Sequence, residues 1–425
     1  MTSGFKIGRI TLTTTMMIWL VLAITSVGAL AISTFHISNF VYYLADAFNV
    51  FLAIFAIRRV ARARKMKEVG FLVLILVLFI ANCIIGIVGN NVPLKLAIWG
   101  SRNVYRFILF FISCVALLEE ENVFSFLRIL PKLYVVNAAL AIFQFLTAGN
   151  KGQFRGDYIG GLFGTTIGCN GALIIFLNIS ISYFIAQYVS GTLPLRKLFF
   201  YSGLYFIVAA MSETKGNYVF FLLLVATALL VSKKSFKTLG IIVATGVSLA
   251  VGAYFLNMYF PGSLDFLIDW ESANKYMNAS YFGTVTFTRN ATLSVANKVF
   301  FKNNTWLYLF GYGIGACDTS GFFSSPFYDM YGYMNYRQMS SSMTVLQNGY
   351  TGLIIYFAFF VFLFIVGFIK SGSESDKDRT AVMTMTCCVA VFAVADSFYA
   401  TLYIDAAYWL FFALSLPLII LKNEN

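Results

Sequence analysis

The sequence predicts an all-α, polytopic membrane protein of about twelve transmembrane helices, with one large extracytoplasmic loop between spans nine and ten. Three observations predict this. Hydrophobic residues make up 60% of the 425-residue chain and charged residues only 11%, with a mean hydropathy of +0.80. A chain so apolar satisfies its backbone in lipid, as bundled helices. Apolar stretches of spanning length recur with short polar connections, and a single long polar segment, roughly 261–342, interrupts them.

The first stretch, near 15–34, shows no small-residue cleavage pattern before the second begins at 39–57, and reads as a retained span. A third, fourth and fifth follow near 69–89, 103–118 and 123–147, with short connections at about 90–101 and 148–160. The sixth runs over 161–189, and the seventh, at 198–211, is short. Ser212-Glu213-Thr214-Lys215-Gly216-Asn217 joins it to the eighth, 217–232, and the ninth covers 238–258. Beyond the long loop lie stretches at 343–369, 380–398 and 400–421, the first two joined by the polar segment Lys370–Thr380, a flexible connection. The chain thus divides into an N-terminal membrane bundle (1–260), the loop (261–342) and a C-terminal membrane bundle (343–425).

The formal charge of +12 suggests nucleic acid at first sight, but its placement argues against that partner. Basic clusters fall at Lys6–Arg9, at Arg58, Arg59, Arg62, Arg64, Lys65 and Lys67, at Arg196–Lys197, at Lys233, Lys234 and Lys237, and at Lys370 to Arg379. With twelve spans all of them lie on one side, which the distribution of basic residues identifies as the cytoplasm. Both termini are then cytoplasmic and the long loop lies outside. The six cysteines show neither a disulfide framework nor metal-ligand spacing, and the single histidine, His36, has no cluster around it. No metal and no cofactor is expected.

Within the spans, Asp46, Arg106, Arg128, Asp396 and Asp405 are expensive unless paired or hydrated. They form either a polar path, as a transporter needs, or ion pairs that lock helices, which so few residues favour. On the outer side, Arg155, Lys215 and Arg289 stand beside glycine or small residues, where the rule for basic residues predicts none. Converging cations at a membrane surface suit a lipid-linked phosphate or pyrophosphate; snorkelling residues paired with Glu213, Asp157 or headgroups are the alternative.

In the loop, Asp265, Asp269 and Glu271 supply carboxylates for proton abstraction or for binding a divalent ion, or form a solvated face. Apolar residues from Leu293 to Phe300 at helical spacing predict an amphipathic helix on the membrane, with Thr288 as its N-cap. Alternating glycines in Phe310-Gly311-Tyr312-Gly313-Ile314-Gly315 allow a backbone path close to a ligand. Aromatic residues among polar ones, in Trp270–Tyr281 and Phe322–Gln338, suit sugar faces; Trp270, Tyr312 and Tyr336 are the candidate sugar contacts. An interfacial aromatic belt is the competing reading.

Several of these segments, in order over roughly 150–360, resemble the O-antigen polymerase and ligase superfamily. Gln153-Phe154-Arg155-Gly156 with Gly161-Leu162-Phe163-Gly164 and Asn170 resembles its arginine–glycine segment. Met211-Ser212-Glu213-Thr214-Lys215-Gly216 is similar to its basic–glycine motif, with Lys215 where an arginine is usual. Thr288-Arg289 and the glycine turn 310–315 resemble its external arginine helix and turn, and Gln347-Asn348-Gly349-Tyr350-Thr351-Gly352 its following span. The ligase branch carries a histidine where this chain has Ser340-Ser341-Ser342-Met343-Thr344, which favours a polymerase.

The resemblance implies an inverting, metal-independent glycosyltransferase of a bacterial cell membrane. It would act on undecaprenyl-pyrophosphate-linked oligosaccharide repeat units at the outer face, extending an O-antigen, capsule or exopolysaccharide. A chain-length regulator and a flippase of the same pathway are the implied protein partners. Arg155, Lys215 and Arg289 would hold the pyrophosphate, and Asp269 or Glu271 would serve as base beside the catalytic Arg289. A ligase of the same superfamily and a flippase or transporter of lipid-linked sugars are the alternatives.

Overall fold

A computed structural model describes residues 4–7, 10–63, 67–147, 155–232, 237–278 and 286–422. Each predicted apolar stretch holds one helix. In the N-terminal part these are α1 (Thr14–Phe35), α2 (Phe40–Ala63), α3 (Lys67–Gly89), α4 (Leu94–Leu117), α5 (Glu120–Thr147), α6 (Asn170–Ser190), α7 (Leu195–Met211), α8 (Gly216–Val231) and α9 (Lys237–Tyr259). The loop carries five short helices: α10 (Asp265–Ile268), α11 (Trp270–Met277), α12 (Thr292–Val295), α13 (Thr305–Phe310) and α14 (Pro326–Tyr331). The chain closes with α15 (Ser340–Ser373), α16 (Lys377–Tyr399) and α17 (Ala407–Leu421).

Among the described residues, nine helices are long and apolar enough to cross a membrane: α1 to α6, α9, α15 and α16. The helices α8 and α17 are apolar but shorter, and α7 has 17 residues. The protein is therefore a polytopic, largely helical membrane protein. A small antiparallel hairpin, β1 (Gly4–Ile7) with β2 (Ile10–Thr13), precedes α1 and was not expected from the sequence.

Three helix starts differ most from the sequence reading, that of α17 at Ala407 rather than 400 among them. Helix α4 begins at Leu94, directly after Pro93, so Arg102 and Arg106 lie well inside it. Helix α6 begins only at Asn170, because Gly156–Tyr158 and Gly161–Phe163 form short 3-10 turns. These turns are buried yet not helical, so their backbone needs partners. Gln144 of α5 accepts from Gly160 and Gly161 N–H (3.2 and 2.7 Å) and donates to Gly161 O (2.8 Å). Asn137 accepts from Leu162 N–H at 2.9 Å.

Helices α1 to α9 and α15 to α17 contribute to one apolar core. Helix α16 packs on α6, α8 and α15, while α17 packs on α4 and α6. At one end of this bundle Arg379 of α16 donates twice to the Glu120 carboxylate, at 2.7 and 2.8 Å. The loop and the connections at 155–169, 212–215 and 400–406 meet at the opposite end, through contacts described below.

A second core belongs to the loop. Phe287, Ala296, Phe300, Phe301, Cys317, Met334 and Tyr336 pack with Met343, Leu346 and Leu353 of α15. This corrects the expectation of an amphipathic helix on the membrane. Helix α12 and the π-helical turn Ala296–Phe301 turn their apolar side chains into protein instead. Thr288 accepts from Ala291 N–H at 3.2 Å, fixing the turn that leads into the helix.

Helix α15 is broken at Gly349, where φ is +64° and ψ −170°. The carbonyls released there find partners. Tyr312 and Gly313 N–H donate to Leu346 O and Gln347 O, both at 2.8 Å, and Asn82 Nδ2 donates to Asn348 O at 2.9 Å. The glycine turn 311–315 therefore follows protein backbone, not ligand. A Cβ on Gly311 would stand 2.5 Å from Leu346 O, and one on Gly315 1.9 Å from Leu96 O.

Candidate functional site

The turn between α7 and α8 lies at the centre of the site. Ser212 and Thr214 hydroxyls stand 3.1 Å apart, Thr214 also donates to Ala209 O, and Asn217 Nδ2 donates to Thr214 Oγ1 at 2.9 Å. Asn178 of α6 donates to Asn217 Oδ1 at 2.8 Å, and Tyr205 donates to Asn178 Oδ1 at 2.9 Å. This buried polar network explains how Glu213 is held at a positive φ of 52°.

Lys215 ends that turn, 3.4 Å from Glu213 Oε1. Its ammonium lies 5.4 Å from the ring centroid of Tyr276, on α11 of the loop. Arg289 stands over the same ring at 4.6 Å and over Tyr399, the last residue of α16, at 4.5 Å. The two tyrosine hydroxyls are 2.8 Å apart, and Tyr399 also accepts from Gly216 N–H at 3.1 Å. Gly216 is small for a reason: a Cβ there would stand 2.7 Å from the Tyr399 ring.

Arg155 approaches from the other side of the turn. Gly156 packs so closely that an added Cβ would lie 2.6 Å from Glu213 Cβ and 2.9 Å from Ser212 O. Asn170 Nδ2 ties Asp157 Oδ1 (3.0 Å) to Ser212 O (3.3 Å). Arg155 itself stacks on Phe145 at 3.9 Å and donates to Phe145 O at 2.6 Å. The structure thus gathers the surroundings of Arg155, Lys215 and Arg289 about one turn.

The electrostatics of this cluster are one-sided. Among the described residues Arg155 and Arg289 have no carboxylate partner, and the Nε of each is buried without a hydrogen bond. Glu213 and Asp157 are the nearby acids, and burial pushes the Glu213 carboxyl up from the usual range against the pull of Lys215. Each guanidinium is half-buried and held over aromatic rings, and its terminal nitrogens are the donors that an anion with several oxygens would use.

The other expected site residues lie elsewhere. Asp269 is fully exposed and caps α11, accepting from Ser272 N–H at 2.8 Å, which holds its carboxyl below the usual range. Glu271 and Asp265 are exposed as well, and Trp270 is 83% exposed. Tyr336 is fully buried in the loop core, its hydroxyl donating to Cys317 O at 2.7 Å, so no ring face is open to a sugar. Tyr312 donates to Phe300 O at 2.9 Å and packs on Phe327. Tyr336 serves as a packing residue in this structure, which corrects its assignment as a sugar contact, while Tyr312 stays partly exposed. Lys151, Gln153, Phe154, Tyr281, and the basic residues Arg9, Arg64, Lys65, Lys233 and Lys234 lie outside the described residues.

The intramembrane charges are mostly paired. Arg106 lies 2.6 Å from Asp405 and 3.6 Å from Asp46, and Arg102 also pairs with Asp46. Tyr408 donates to Asp46 at 2.9 Å. Asp396 is only 1% exposed, with Oδ1 unpartnered, and Arg128 faces outward. Among the described residues no three of His, Cys, Asp and Glu group closely enough to hold a metal ion.

Tyr276 and Tyr399 were not identified from sequence. Tyr399 closes an apolar run, where a tyrosine reads as an interface anchor, and only tertiary structure brings it beneath Arg289. A scan against protein-family models finds no match for the chain, and a search of curated proteins also finds none.

Proposed function

We propose that the protein is an integral membrane glycosyltransferase that polymerises undecaprenyl-pyrophosphate-linked oligosaccharide repeat units into a surface polysaccharide. The observation that carries this reading is the convergence of Lys215 and Arg289 on Tyr276, beside a turn that Arg155–Gly156 packs against. The cluster lies at one end of an apolar bundle, where a lipid-linked pyrophosphate would bring its charge to the membrane surface.

In this reading all twelve apolar helices span a bacterial cell membrane. Both termini are cytoplasmic, and the loop and the cation cluster face outward. The growing chain on its lipid pyrophosphate is the donor. A sugar hydroxyl of the incoming repeat unit attacks the anomeric carbon from the face opposite the pyrophosphate, inverting its configuration. Negative charge develops on the departing pyrophosphate, and pre-placed guanidinium groups stabilise it most at that moment. Stacking on Tyr276 and Tyr399 fixes the Arg289 plane, so little reorganisation is needed. The locked pairs among Asp46, Arg102, Arg106 and Asp405 make these residues braces between α2, α4 and the segment leading into α17.

The test is deletion of the protein in its host, with lipid-linked and surface glycans resolved by size. The expected outcome is single repeat units, with polymer restored by the wild type but not by Arg289→Ala. Long polymer in the Arg289→Ala strain overturns the site. Long polymer that stays on the lipid carrier after deletion points to a ligase instead.

A further inference from the structure

A polar recess lies one short chain segment away from the cation cluster and has no role in the site described so far. It is a cavity of about 160 Å³ whose polar lining is Asn103, Asp318, Arg337, Gln347, Thr401 and Tyr403. One short segment links it to the cations: Tyr399 stacks under Arg289, and Thr401 and Tyr403 line the cavity. Ser340 holds that segment from both sides, donating its N–H to Ala400 O at 3.1 Å and accepting from Leu402 N–H at 2.6 Å.

Asp318 is the buried carboxylate of this cavity, 2% exposed. Its Oδ2 accepts from Asn103 Nδ2 at 2.7 Å, and its Oδ1 accepts from Thr319 N–H at 3.0 Å and lies 3.5 Å from Arg337 Nη2. An ionised carboxylate has about four acceptor positions, so capacity for one more donor remains. The Gln347 side chain, also buried, donates only to the Met343 thioether, a weak acceptor. The recess therefore offers amide, hydroxyl and carboxylate groups with its charges balanced between Asp318 and Arg337. That chemistry selects a neutral polyhydroxyl group, not an anion.

We propose that this cavity holds the sugar ring of the incoming repeat unit that carries the attacking hydroxyl, and that Asp318 takes that hydroxyl's proton. The proposal rests on the transferase reading above. As the hydroxyl oxygen bonds to the anomeric carbon, its proton passes to the Asp318 carboxylate. The bond from that carbon to the pyrophosphate oxygen breaks, and its electron pair leaves with the pyrophosphate toward Arg289 and Lys215. Burial raises the Asp318 carboxyl above the usual range, which suits a base. The ionisable groups facing it are Arg337, Arg102 of α4, Tyr336, Tyr403 and the Cys317 thiol.

The experiment uses full-length protein in bilayers, with the host's own lipid-linked repeat unit as substrate and undecaprenyl pyrophosphate as a binding probe. Asp318→Asn is expected to slow chain extension by roughly 10²- to 10⁴-fold while binding the probe as the wild type does. Wild-type extension should fall on the acid side, and residual extension by Asp318→Asn should lose that limb. Extension by Asp318→Asn near the wild-type rate overturns the proposal. If Arg289→Ala also extends chains and binds the probe normally, the transferase site itself is wrong, whatever Asp318 does. Should Asp318→Asn fold poorly, Thr401→Val leaves the carboxylate and its partners in place. It is expected to raise KM for the repeat unit without changing probe affinity, and an unchanged KM overturns the proposal.

Discussion

The hydroxyls of Tyr276 and Tyr399 lie 2.8 Å apart, one from the loop and one from the end of α16, and Arg289 stands over both rings. This pair joins the loop to the membrane bundle at the point where the cations gather. Tyr399→Phe keeps the ring but loses the bonds to Tyr276 and Gly216, worth about 1 kcal/mol each. A several-fold loss of undecaprenyl pyrophosphate affinity is expected, measured by titration in bilayers, and a larger loss for Tyr399→Ala, which also removes a cation–π contact. Equal affinities for all three proteins would sink the platform role.

Asp269 separates capping from catalysis. Asparagine caps a helix as well as aspartate does, so Asp269→Asn is expected to retain chain extension, whereas Asp269→Ala loosens the first turn of α11. Proteolysis of the loop reads the second effect. A dead Asp269→Asn variant would return this residue to the chemistry.

Arg106 bridges Asp46 and Asp405 inside the bundle. Arg106→Met leaves Asp405 without its cation while Asp46 keeps Arg102 and Tyr408, and a loss of about 1–3 kcal/mol is expected. The check is thermal unfolding in detergent, and a melting temperature within a degree or so of the wild type would contradict the brace.

Stability should also report on Asp318. Its folded carboxyl is raised by burial, so the protonated form favours folding, and that contribution is lost as pH rises through the folded value. At neutral pH, Asp318→Asn is therefore expected to melt at or above the wild type. The advantage should vanish as pH falls through the carboxylate range. A variant less stable at every pH contradicts this sign.

Gly349 tests the break in α15. A Cβ there would meet Leu309 O at 2.3 Å in a backbone conformation with φ +64°. Gly349→Ala is expected to cost upwards of 1–3 kcal/mol, read as loss of folded, detergent-soluble protein. Normal yield and melting would show that the turn can move aside.

The helices were legible because apolar runs of spanning length have few alternatives in lipid. Each of the stretches from 15–34 to 400–421 contains a helix, with the ends of α4 and α6 misplaced. Those errors share a cause. Residues 94–102 are mixed in polarity yet continue α4, while 161–169 are apolar yet stay non-helical because Gln144 and Asn137 satisfy their backbone. Hydropathy does not encode such long-range hydrogen bonds. The cations Arg155, Lys215 and Arg289 stood out by their side of the membrane. Asp318 did not, because a lone carboxylate in a polar loop reads as solvated; Tyr336 stood out as a sugar contact, because a tyrosine facing a loop's own core reads like one facing a ligand.

The hydrogen bonds around the Gly349 break bear on the order of synthesis. A segment entering lipid with carbonyls 346–348 unsatisfied pays several kcal/mol for each. Their donors, Asn82, Tyr312 and Gly313, all precede that segment in the chain and leave the ribosome first. The donors that close the break in α15 are therefore made before α15 itself. A chain cut within the loop, with its halves co-expressed, should recover function only when the first half carries residues through Gly315.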